Sequence, residues 1–117
     1  MMKFSKRCPY GDVSLIFIAG TNAEANEVVD KKLFGEIPSD CSGCQSGSMI
    51  FIDTECCDTL NLFVSVVAHE ALHWAINISN EIFGEFNYHD KAAQERLAQV
   101  VEWVVVTVMK KCEFEDA

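Results

Sequence analysis

Residues 65–76 read SVVAHEALHWAI, and inside this apolar run stand His69, Glu70 and His73. Four residues is close to one helical turn, so on a helix the two imidazoles project to the same side. That separation suits two ligand positions on one zinc ion. Glu70 follows His69 by one residue, about 100° around the helix. From there its carboxylate can reach a water held by the metal, whose pKa the metal lowers toward neutrality. It can then take that proton and pass it to a departing amine, which is hydrolysis of a peptide bond by general base and acid. The neighbours Val66, Val67, Leu72, Ile76 and Ile78 predict a largely buried helix. Burying imidazoles and a carboxylate without partners is costly, which favours a metal. The plainer alternative is a pair of core histidines bonded to other polar groups.

Catalytic zinc usually takes three protein ligands and keeps one position open. The extended form HExxHxxGxxH is absent, with Ile76 where the glycine would be and Ser79 where the third histidine would be. The third donor must come from elsewhere, and His89, Asp90, Glu95 and Glu102 are candidates. Glu95 is preferred, lying 22 residues after His73 on the next predicted helix, one short loop away. Gln99, one turn further, is placed to hold the ligand or an imidazole. The apolar stripe of that helix is Ala93, Leu97, Val100, Val101, Val104 and Val108, on the side opposite Glu95. A solvated face is therefore the competing account of Glu95, although Trp103 and Val106 lie off the stripe. Tyr88 and His89, in the preceding loop, are candidate catalytic donors to a developing oxyanion. Their alternative is an ordinary loop role.

These residues need elements to position them. Residues 13–19 read as a strand buried on both faces. Thr21 or Asn22 caps a helix over 23–34 that Gly35 ends, with Val28, Val29 and Leu33 as its stripe. Residues 38–48, with one Pro, two Gly and four Ser, read as a loop. Residues 49–53, MIFID, read as a short strand. Were it the sheet edge beside the motif helix, an extended peptide could pair with it. Asp58 or Thr59 caps a long helix to about residue 80, and Asp90 caps a last helix to about residue 111. The order β, α, β, α, α predicts an α+β fold. A small sheet packs on the motif helix and a C-terminal backing helix, in a single domain over 1–117.

Composition limits the function classes. The chain has 18 acidic against 9 basic residues, a formal charge of −9. Such a surface repels phosphates, so general nucleic-acid binding is excluded, while an acidic mimic of nucleic acid is not. The basic start followed by the short, interrupted apolar run 13–19 leaves an export signal as the alternative, and a buried strand is the better reading. No apolar run spans a bilayer. The expectation is a cytoplasmic protein acting on a peptide or protein substrate, with neither nucleic-acid nor membrane partner. Six cysteines are present. In a reducing compartment they stay thiols. A second zinc site from Cys41, Cys44, Cys56 and Cys57 is the alternative.

With the HEALH motif and this element order, residues 49–108 resemble the zincin metallopeptidases of the gluzincin type. The chain is most similar to minimal single-domain gluzincins and to small metallopeptidases of phage and bacterial genomes. The resemblance implies a zincin-like fold, zinc bound by His69, His73 and Glu95, and Glu70 as general base and acid. A phage origin would place the protein in the host cytoplasm. The family often carries an acidic residue one turn after the glutamate ligand, and this chain departs from that pattern with Gln99. The competing function is a catalytically inactive zinc-binding interaction module, acidic and directed at a host partner.

Overall fold

The computed structural model describes residues 1–85, 87 and 89–112. Among these residues eight elements follow one another: β1 (Met2–Arg7), β2 (Ser14–Gly20), α1 (Asn22–Val28), α2 (Lys31–Phe34), β3 (Gly43–Ser46), β4 (Met49–Asp53), α3 (Leu60–Phe83) and α4 (Lys91–Cys112). The fold is α+β, as expected. The strands form one mixed sheet in the order β1-β2-β4-β3, with β2 and β4 parallel and both outer strands antiparallel to their neighbours.

The two central strands explain the apolar runs in the sequence. All five residues of β4 are buried, because both faces of the sheet are covered. On one face Phe17, Ile50 and Ile52 pack with Phe63, Val67, Ala71, Trp74 and Ile78 of α3 and Val100, Val104 and Val108 of α4. On the other, Ile18, Met49 and Phe51 pack with Ala25, Val29 and Ile37. Neighbouring strand residues point to opposite faces, so one strand serves both clusters.

Two strands lie where none was expected. β1 alternates partly buried Met2 and Phe4 with exposed charges, the pattern of a strand with one wet face. β3 occupies the segment read as a loop and forms the other edge of the sheet. MIFID is therefore an interior strand, and the edge next to α3 is Gly43–Ser46.

The helix expected over 23–34 is two helices. Thr21 and Glu24 form a capping box at the start of α1. Val29 is extended, and the Asp30 carboxylate accepts from the amides of Lys32 and Leu33 to begin α2. An Asp that can hydrogen-bond the backbone outside a helix favours a break and a new cap over continuation. Leu33 is consequently exposed rather than part of a stripe.

Thr59 caps α3 by accepting from the Leu62 amide, and Asp90 accepts from the Ala92 amide at the start of α4. Gly84 ends α3 with φ 82°. That left-handed conformation is one a glycine adopts without steric cost. Lys110 and Lys111 lie in the last turn of α4, where positive charge meets the negative end of the helix dipole. Among the described residues no helix is long and apolar enough to cross a membrane.

Gly43 marks the closest approach of β3 to α3. A Cβ there would stand 2.7 Å from Val66 Cγ1 and 3.0 Å from the Phe51 carbonyl oxygen. Gly43→Ala is expected to destabilise the fold by about 1–3 kcal/mol, the usual range for overpacking. Chemical denaturation measures it, and an unchanged midpoint would mean that β3 does not rest on α3.

Candidate metal centre

The site is carried by the middle of α3. Val66, Glu70, His73 and Asn77 recur at helical spacing on one face. β3 and the turn after it run beside that face. Gly43 meets Val66 at one end. At the other, the Asn77 side chain donates to the Gly47 carbonyl at 3.4 Å and the Trp74 indole donates to the Ser48 carbonyl at 2.9 Å. Register pairs Gln45 with Ile50, whose side chain lies in the α3 cluster, so Gln45 also faces α3. Its amide donates to the Gly47 carbonyl at 2.7 Å. Glu70 and His73 lie between the two anchoring contacts.

His69, Glu70 and His73 offer donor atoms that all lie within 4.8 Å of one another, and they are the one such group among the described residues. The imidazoles meet edge to face, with ring centroids 4.9 Å apart and planes at 69°. His69 Nε2 stands 3.9 Å from Glu70 Oε1. The expected burial holds for one of the three. Glu70 is 5% exposed, whereas both histidines are exposed. The pair faces outward because the buried side of α3 is taken by Val67, Ala71, Trp74 and Ile78. The burial argument therefore rests on the carboxylate.

That argument is strong for Glu70. Its Oε2 is buried and has no hydrogen-bond partner. Burial pushes the carboxyl pKa up, while the neighbouring His69 and His73 pull it down by less. A buried carboxylate oxygen without a donor is unfavourable unless positive charge comes close. A cation held by the two adjacent imidazoles would provide that charge, and the donor set fits zinc, which takes imidazole and carboxylate ligands.

The remaining sequence candidates lie outside this group. Glu95 and Glu102 are exposed on α4, with Gln99 exposed between them. Asp90 caps α4. His89 is exposed in the connecting loop, its amide donating to Asn87 Oδ1 at 3.0 Å. Tyr88 lies outside the described residues. The cysteines do not assemble into a second cluster among the described residues, and all six are free thiols.

Sequence reasoning missed β3, which walls the site. Its four residues carry no long apolar alternation, and the flanking Ser, Gly and Pro residues hid it. It missed Gln45 and Asn77 too, polar groups that converge on the Gly47 carbonyl beside the face of α3 that carries Glu70 and His73. The signal available was Asn77 itself, one turn beyond His73 on the same face. Compared with family models, with curated proteins and with solved structures, the chain matches none.

Proposed function

We propose that this protein is a zinc-dependent peptidase of the zincin type, with His69 and His73 as metal ligands and Glu70 as the proton-transferring group. The observation that carries the reading is the buried, unpartnered Oε2 of Glu70 beside two imidazoles that share one side of the helix. Zinc held there supplies Lewis acidity, which polarises a scissile carbonyl and acidifies a water molecule. Glu70 accepts a proton at its carboxylate and returns it to the leaving amine. Its low exposure keeps bulk water from competing for that proton, and its raised pKa brings it nearer the range where a general base works best.

The surroundings suit an extended peptide. Leu62 and Leu72, 48% and 44% exposed, stand on the helix seven residues before and three after His69, which is on the same face. They offer apolar contact beside the ligands. The net charge of −9 disfavours nucleic acid as substrate. The rival reading, an inactive zinc-binding interaction module, needs the same ligands but gives Glu70 no role in turnover.

Glu95 remains the third ligand in this reading, on the strength of the sequence resemblance and against its exposed position on α4. Zinc per chain, measured in protein purified without added metal, tests the ligand set. The wild type should hold one zinc, and His73→Ala and Glu95→Ala should each lose it. Zinc retained in Glu95→Ala removes that residue from the ligand set. Zinc retained in His73→Ala, or absent from the wild type even after it is supplied, overturns the proposal.

A further inference from the structure

Two sulfurs face each other where the last turn of α4 meets β1. The Cys112 thiol donates to the Met2 thioether at 3.6 Å. Both side chains are partly buried and pack against the core that joins the sheet to α3 and α4. Met2 pairs with Ala19 and alternates with the exposed Lys3, so strand pleating turns it toward the helices. The pair shares no residue with the candidate metal centre on α3.

A cavity of about 300 Å³ opens beside the two sulfurs. Met1, Met2, Ala19, Thr54, Phe63 and Cys112 line it. Gly20 lines it too, and a Cβ there would stand 2.8 Å from Met1 Cγ, so the glycine makes room for the Met1 side chain. Met1 is 59% exposed, which gives the cavity an approach from solvent. Among the described residues the lining holds no carboxylate and no imidazole.

That lining decides the class of ligand. Calcium and magnesium take oxygen ligands, and protein zinc takes thiolate, imidazole or carboxylate. A thiolate paired with a thioether is a soft donor set, which selects monovalent copper. Metal–sulfur bonds of about 2.3 Å, the length found at zinc, span a separation of 3.6 Å without stretching. One thiolate and one monovalent cation make a neutral unit, which suits a site walled by apolar side chains.

We infer that Cys112 and Met2 form a binding site for a monovalent copper ion, with the thiolate and the thioether as its ligands and Met1 beside them. The ion takes the place of the thiol hydrogen between the two sulfurs, and Cys112 gives that proton to solvent. Burial pushes the Cys112 thiol up to about 11, so at neutral pH the metal must displace the proton, and binding strengthens as pH rises. The bound ion joins the end of α4 to β1.

Copper(I), supplied without oxygen as its acetonitrile complex to the full-length protein, is the probe. Methionine methyl resonances and the alkylation of each cysteine, mapped by peptide mass spectrometry, are read together. The first equivalent should shift the Met2 methyl, leave that of the buried Met49 in place, and protect Cys112 from alkylation. Cys112→Ser should abolish the Met2 shift. Met2→Leu, which keeps the size of the side chain, should leave Cys112 open to alkylation, and an unmoved Met49 resonance shows that either variant is folded. The inference is overturned if the first equivalent protects Cys41, Cys44 or Cys56 while the Met2 methyl stays in place. It is also overturned if Cys112 is protected as well in Met2→Leu as in the wild type. None of these outcomes depends on zinc at α3 or on peptidase activity.

Discussion

Glu70→Gln is expected to remove turnover and leave the metal in place. Glutamine preserves the shape of the side chain but cannot take a proton from water or deliver one to an amine. General acid–base catalysis contributes roughly a hundred- to ten-thousand-fold, so kcat should fall by that factor. Zinc per chain should not change, because the proposed ligands are His69, His73 and Glu95 and not this carboxylate. Glu70 stands buried with Oε2 unpartnered and its pKa pushed up by that burial. The neutral amide avoids desolvating a charge, so the metal-free variant should melt no lower than the wild type. Steady-state kinetics, metal analysis and a melting curve on one preparation check all three expectations. Wild-type turnover in this variant would remove Glu70 from the chemistry.

Trp74→Ala is expected to have the largest effect on stability. Trp74 is fully buried and adjoins His73 on α3. Its ring centroid lies 6.0 Å from that of Trp103 on α4, and its indole donates to the Ser48 carbonyl. One side chain thus ties α3 to α4 and to the turn between β3 and β4. Truncating a buried Trp costs about 3–5 kcal/mol. That is a large share of the roughly 5–15 kcal/mol that holds a domain together. For a chain of this size the midpoint should drop by roughly 10–20 °C. Metal binding should weaken as well, because the β3–β4 turn loses its anchor beside His73. A drop of only a degree or two would mean that the core closes over the gap.

What the sequence revealed depended on whether a signal was local. The runs at 13–19 and 49–53 reported central strands because both faces of the sheet are covered. Thr59 and Asp90 reported the starts of α3 and α4 because a cap is a bond between near neighbours. The stripe of Ala93, Val100, Val104 and Val108 is the buried side of α4. β1 escaped notice because one of its faces is polar, and β3 because it spans only four residues. The break at Asp30 competes with a continuous helix by a small margin that composition does not express.

The site was readable to the same extent. HEALH brings its three residues together because helical spacing alone does so. Which of them would be buried was not encoded in spacing. It follows from how α3 is packed, with Val67, Ala71, Trp74 and Ile78 turned inward and the imidazoles outward. Glu95 sits opposite the apolar stripe of α4, as periodicity predicts, and that side is exposed. The wall formed by β3 comes from pairing with β4, a long-range contact that no local pattern announces.

The most direct test of the account is cleavage of an unbiased peptide library by the zinc-loaded wild type, read as new termini by mass spectrometry. The account predicts new termini in the zinc-loaded sample, with apolar residues enriched near the cut, and none after chelation. A library left intact by protein that holds its zinc would contradict the peptidase reading and leave His69 and His73 as ligands of a binding module.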